Sequence, residues 1–397
     1  MINDRLPLFW LNCVQSTVRN CGIQVDGYFP NFSPTSDCTL PTLHPDTLYT
    51  VQGAVKSVFP YFRMMLSPKT DLKAGVIGGL IIGGSTAAFY ILNKRVSGMS
   101  GIVHSTLFKL PSFSSLSYVA GLLTSGYVLN SHNPAVFGSE SGQQLTDFGL
   151  VVAGTLVGFG VRLGNGCTSG HGVCGLGRMS LRSLVAVCTF MGTGVGSAML
   201  LRGSPILYQT GGSAATASLL LTGAGAVVAC VTSLIGLRSG FKKEKAVDSI
   251  TAFVCGSVFG VGLGLSGMTN TAKVSGFLDL QNPGGWDPSL MAVMGGAVVF
   301  NAIVFPLVSK ISPEHEQAVN LCPRFTVDWK LIAGSALFGI GWGIGGICPG
   351  PAIVSFGAAR PLALSFLPIM IFGMAVHEVI FEWLPNLIGS KDEKKGR

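Results

Sequence analysis

The chain is a succession of apolar runs, each long enough to cross a bilayer, separated by short glycine-rich or basic connections. Nine runs qualify: residues 72–93, 114–130, 144–163, 181–201, 213–236, 247–265, 288–308, 329–347 and 361–382. A helix needs about 20 residues to cross roughly 30 Å of hydrocarbon, and it satisfies its own backbone groups within lipid. Only 11% of the 397 residues are charged, whereas a soluble domain carries about 25%. The pattern predicts an all-α, polytopic integral membrane protein with about nine transmembrane helices. The cell membrane is the expected host, with an organelle membrane as the alternative. The formal net charge of +8 lies largely in short loops, where Lys and Arg set topology. It does not mark a nucleic-acid partner.

Four stretches between the runs are too polar and too broken to face lipid: "VSGMSGIVHS" (96–105), "RLGNGCTSGHGVCGLGR" (162–178), "LSGMTNTAKVSG" (265–276) and "GGICPGPAIVSFG" (345–357). Irregular backbone at membrane depth must be shielded by protein or line a cavity, so the four are expected to be re-entrant segments around a central site. They come in pairs. "SGMS" (97–100) matches "SGMT" (266–269), and "LVGFGVRLGNGC" (156–167) aligns without a gap to "LFGIGWGIGGIC" (337–348), ending in a shared cysteine. The chain therefore reads as an internal duplication. Five crossings separate equivalent helices, which places the two repeats in opposite orientations. The basic linker "RSGFKKEK" (238–245), Lys94, Arg95, Lys109, Lys310 and the C-terminal "KDEKKGR" fall on one side. By the positive-inside rule the C-terminus is cytoplasmic and the N-terminus faces away.

The domain expectation follows. Residues 1–69 form an N-terminal extension with scattered acids and prolines and no helical periodicity, expected to be disordered and fitting neither a secretory signal nor a transit peptide. Met64–Met65 mark an alternative start. Residues 70–212 form the first membrane repeat, 213–246 a linker helix and basic loop, 247–388 the second repeat, and 389–397 a charged tail.

The chemistry concentrates in the broken stretches. Each cysteine-bearing stretch has glycine before it and a helix-forming run after it, and in "CPGP" the prolines stand where a new helix begins. Helix N-termini favour anions. Three readings of the thiols stay open. Cys167, His171 and Cys174 supply a C-x3-H-x2-C metal group that lacks a fourth ligand. Cys167 and Cys174 form a redox pair. Or Cys167 and Cys348 face each other across a pseudo-two-fold axis as weak S–H donors to a soft, anionic ligand. Arg162 and Arg178 flank the first site and could funnel anions or serve as topology charges; Lys273 adds charge to a sparsely basic loop. His171 and His104 are placed to hydrogen-bond the glycine loops. His377 and Glu378 sit inside the ninth run, where a carboxylate is costly and often functional. Cys188, Cys230 and Cys255 read as small hydrophobes.

"NGCTSGHGVCGLGRMSLRSL", "LSGMTNTAKVSGFLDL", "WDPSLMAVMGGA" and "LFGIGWGIGGICPGPA" together resemble the YeeE/YedE sulfur-transport family, which includes thiosulfate transporters. The likeness runs from about residue 70 to 385, and this chain is similar to the fused form in which both halves share one polypeptide. The resemblance implies an inverted-repeat, hourglass-like helical protein whose central constriction carries cysteines that contact thiosulfate. Carried over by motif, these are Cys167 in "GNGC" and Cys348 in "GGICPGP". Some relatives have a further cysteine in the first re-entrant stretch, where this chain has Met99 and Ser100. The expected function is a permease for a small sulfur-containing anion, thiosulfate or a persulfide-related species. Its path is lined by Cys167, Cys348, Cys174, His171, Gly166, Ser100, Thr269, Lys273 and Arg178, and it uses no cofactor. Membrane lipid and a soluble sulfurtransferase are the other expected partners. The rival is a membrane sulfurtransferase or persulfide-handling protein that uses Cys167, its thiol activated by His171 or Arg178. No Walker-type phosphate loop is present for ATP hydrolysis.

Overall fold

Most of the apolar runs become helices whose first turns are tied down by short polar side chains. In the computed structural model, which describes residues 71–108, 112–138, 144–209, 246–281, 286–312, 315 and 325–384, the first half contains α1 (Leu72–Asn93), α2 (Met99–Leu107), α3 (Phe113–His132), α4 (Asp147–Leu163), the π-helix π1 (Thr168–Gly175) and α5 (Leu181–Leu201). The second contains α6 (Ala246–Leu265), α7 (Thr271–Leu278), α8 (Ser289–Ile311), α9 (Trp329–Gly345), α10 (Pro349–Gly357), α11 (Pro361–Glu378) and the π-turn π2 (Val379–Trp383). Ser112, Thr146, Asn270 and Asp328 each accept an N–H from the turn they precede, at 3.0–3.1 Å. Such caps satisfy donors that a helix cannot pair internally. A two-residue antiparallel ladder, Gln144–Leu145 with Tyr208–Gln209, joins the ends of α4 and α5.

Five helices are individually long and apolar enough to cross a membrane: α1, α5, α6, α8 and the continuous α11–π2 segment. Counting each bent pair, α4–π1 and α9–α10, as one span raises the number to seven among the described residues. Eight of the nine expected runs fall among the described residues, and five to seven spans there meet this criterion. The serines and threonine of α3 hold its mean hydropathy down, so it does not join that set. The expected span 213–236, the extension 1–69, the basic loop and the charged tail 389–397 lie outside the described residues, apart from Ala246 of the linker (213–246). Side chains such as Ile77, Leu200, Val299, Ile303 and Leu307 point outward and are exposed. In water this would be an adhesive surface, but here lipid is the solvent. The molecule is an all-α polytopic membrane protein.

Packing sorts the long helices into two rows. In one, α3 packs on α6, α6 on α1 and α1 on α8; in the other, α5 packs on α9, α9 on α4 and α4 on α11. Every contact has a counterpart when the two halves are exchanged: α3–α6 answers α8–α1, α5–α9 answers α11–α4, and α1–α6 and α4–α9 are the central pairs. The short helices follow the same rule, π1 lying between α5 and α8 and α10 between α11 and α3. Glycine allows these close crossings, as small residues do wherever apolar helices pack within lipid. A methyl group on Gly158 of α4 would overlap the Met370 carbonyl of α11, and one on the aligned Gly339 of α9 would overlap the Phe190 carbonyl of α5.

Candidate functional site

The two bent pairs turn in the same way. After α4 the chain passes through Asn165 (φ 55°) and after α9 through Gly346 (φ 62°), aligned positions that both take the left-handed conformation. Asn and Gly adopt it at the least steric cost. Two residues on stand Cys167 and Cys348, both extended, as the caps of π1 and α10. Their carbonyls close the first turns, accepting the His171 N–H at 2.8 Å and the Ala352 N–H at 2.9 Å. The glycine-then-cysteine pattern is therefore a device for breaking a helix and restarting it with a thiol at the break.

Folding brings the two breaks together. The Thr168 side chain and Cys167 both lie within interaction range of the Cys348 thiol. The Cys167 thiol is 3.2 Å from the Ser169 hydroxyl, which also accepts the Met99 N–H at the start of α2 at 3.0 Å. Both cysteines are buried. Thr168 and Ser169 thus join two thiols and one helix N-terminus in a continuous polar contact. The α10 tip offers fewer donors than its position suggests. Pro349 and Pro351 have no N–H, so Gly350 is the sole amide donor among its first three residues.

Beside this group lies a cavity of about 20 Å³ lined by Met99, Met268 and Met294 together with Thr168, Ser169, Val173, Gly350 and aliphatic side chains. Met99 and Met268 occupy the same place in the matching "SGM" stretches. The volume holds roughly one water, so an anion of several heavy atoms does not fit until the walls move apart.

The other expected residues are placed as follows. His171 contacts Ser183 Oγ through Nδ1 (3.1 Å) and the Gly164 carbonyl through Nε2 (3.2 Å), so its ring braces the loop. Gly166 is fitted to that ring: a Cβ there would stand 2.5 Å from it. Cys174 donates to the Ser97 carbonyl at 3.4 Å, and Ser97 bonds the Tyr118 hydroxyl at 2.8 Å. Cys167, His171 and Cys174 therefore point to separate partners, and both cysteines are free thiols. Ser100 is buried in the first turn of α2, behind Met99. Arg178 is buried at the end of π1. Thr269 and Lys273 direct their polar groups elsewhere. Thr269 donates to the Val136 carbonyl at 2.8 Å, and Lys273 lies 3.5 Å from Asp71.

The sequence offered no sign that Arg162, His104, His377 and Glu378 meet in a second polar group. Arg162 Nε donates to Glu378 Oε1 at 2.7 Å, His104 Nε2 is 3.1 Å from the same oxygen and His377 Nδ1 is 3.6 Å away. Each residue stood out singly, but Arg162 and Glu378 are 216 positions apart, and no local pattern reveals such a meeting.

The membrane helices and the paired breaks agree with what the chain is similar to. Residues 247–387, from α6 past π2, match the model of a family of unknown function, DUF6691. A "probable transporter" of Xylella fastidiosa (strain Temecula1) is 38% identical over 133 residues, 32% of this chain and 87% of its own length. A second "probable transporter" of the same strain is 36% identical over 126 residues, 31% of this chain and 90% of its own length. The chain belongs to the family of these probable transporters. Nearly the whole of each such transporter thus corresponds to about a third of this chain, so a family member of that size spans only part of the two-row helical body.

Proposed function

We propose that this transporter carries a small sulfur-containing anion, thiosulfate first, along a path that crosses the paired cysteines. The observation that carries the reading is the meeting of Cys167 and Cys348, each at the break of a bent helix pair, joined through Thr168. A thiol is a weak, polarizable S–H donor, matched to the terminal sulfur of thiosulfate, and the hydroxyls of Thr168 and Ser169 suit its oxygens. The anion moves from one thiol to the other by exchange of hydrogen bonds, without covalent change. The exchange-symmetric packing supports an inverted duplication in which π1 and α10 are re-entrant arms from opposite faces. The small cavity supports an occluded state between two open ones. The sulfurtransferase reading requires a Cys167 activated by His171 or Arg178, and His171 is committed to Gly164 and Ser183.

Uptake of sulfur-labelled thiosulfate into proteoliposomes tests this. Cys167→Ala and Cys348→Ala are expected to lower the initial rate at least tenfold, while Cys188→Ala, on the exposed face of α5, stays within twofold of the native rate. Unchanged uptake in both path variants, or none by the folded native protein, overturns the reading.

A further inference from the structure

We propose that Arg162, Glu378, His104 and His377 form a proton-binding site that couples proton movement to the passage of the anion; the inference rests on the transport reading above. The four side chains converge where α4, α2 and α11 meet, and all are largely or wholly buried. Oε1 of Glu378 is the common focus, with Arg162 and both imidazoles around it. The carboxylate and guanidinium offset each other, so with neutral imidazoles the group carries no net charge. One proton on either imidazole gives it a charge of +1.

The molecule holds an internal control. Gly158 on Met370 and Gly339 on Phe190 are matching crossings. They set Phe190 against Met370, and hence Ser197 and Ala198 against His377 and Glu378. Gly343 aligns with Arg162, and a Cβ on Gly343 would overlap the Ser197 hydroxyl. The positions that match Arg162, His377 and Glu378 are thus glycine, serine and alanine, while Lys273, at the position that matches His104, turns to Asp71 at 3.5 Å. The packing does not require an ion pair there, and burying one is costly. An ionisable group that the architecture can do without, buried at the ends of an apolar helix pair, points to a role in function.

The site is also wired to the thiols. His104 and Met99 belong to one nine-residue helix, α2, and are separated by about 7.5 Å along its axis. The Met99 N–H is held by Ser169, which contacts Cys167. Arg162 lies in the last turn of α4, five residues before Cys167. At roughly 10 Å with an effective dielectric near 20, one added positive charge favours an anion at the thiols by about tenfold or more for each negative charge it carries. By reciprocity the anion favours the proton equally. The other charged groups nearby are Glu382, one turn beyond Glu378, and Lys330 of α9, whose Nζ lies 5.3 Å from the Phe381 ring centroid. The sequence of α10, which also packs on α11, contains no titratable side chain.

The test is thiosulfate flux into proteoliposomes with the membrane potential clamped, with and without a gradient of about two pH units, and with an internal pH dye. Acid on the side of the anion is expected to raise the initial rate about tenfold and to acidify the lumen in step with uptake. The double variant Arg162→Gln/Glu378→Gln, which leaves no lone buried charge, should bring that ratio to about one. His104→Gln, which keeps the ion pair, tests the same ratio if the double variant does not fold. Native flux that ignores the gradient and leaves the dye unchanged overturns proton coupling alone. A double variant with the native ratio removes the site. Absence of any thiosulfate flux overturns transport and coupling together.

Discussion

Thr168 ties the two halves of the thiol site together, since its side chain lies within interaction range of Cys348 while its backbone begins π1 beside Cys167. Thr168→Val keeps the shape and removes the hydroxyl. It is expected to cut thiosulfate uptake by roughly tenfold, about the worth of one hydrogen bond, with little change in thermal stability; an unchanged rate would remove Thr168 from the path. At this scale the sequence was legible where chemistry is local. Two cysteines preceded by glycine and followed by helix-forming residues could be read as helix breaks, and Cys167 and Cys348 are the caps of π1 and α10. It was illegible where chemistry depends on long-range contact. Nothing in "TNTAKVSG" says that Lys273 faces Asp71, or that Thr269 donates to the Val136 carbonyl. Nothing near Glu378 announces Arg162.

Among the elements, eight of the nine expected runs coincide with a helix to within three residues at each end, α11 being taken together with π2, and the ninth, 213–236, lies outside the described residues. Long apolar periods leave a chain in lipid little other choice. The short helices were harder to read. The stretches around α2, α7 and α10 looked broken because glycine dominates them, yet buried neighbours and a few caps hold eight or nine residues of each in helical form. Glycine's larger part is played inside the long helices, where it sets how closely the rows cross. Gly158→Val and Gly339→Val are each expected to destabilise the protein by about 1–3 kcal/mol, the usual cost of forcing extra methyl groups into a packed contact. Thermal unfolding in detergent checks this. Gly192→Val, where the added carbon meets open space, should leave the midpoint near its native value.

For the whole molecule, exchange of the two halves leaves the pattern of packing in place while the chemistry differs between them. If the halves insert in opposite senses, the aligned positions Thr106 and Ser275 belong to opposite faces. Added cysteines there (Thr106→Cys and Ser275→Cys), in a background with Cys13, Cys21, Cys38, Cys188, Cys230 and Cys322 replaced by alanine, are expected to react with an impermeant maleimide from opposite sides of right-side-out vesicles. Labelling of both from one side would replace the inverted arrangement with a parallel one.

The three methionines around the small cavity set a condition on whatever passes. Thioether and aliphatic walls cannot replace the hydrogen bonds that water gives to a hydrated ion, and narrow apolar constrictions expel water. An ion there must shed much of its hydration shell and recover the loss from a few thiols and hydroxyls. Sulfate, whose charge is spread over oxygens alone, binds its water tightly and gains little from sulfur donors. Thiosulfate carries part of its charge on a large terminal sulfur that is hydrated more loosely. Selectivity in such a passage is a difference in dehydration cost, decided before either ion reaches a cysteine.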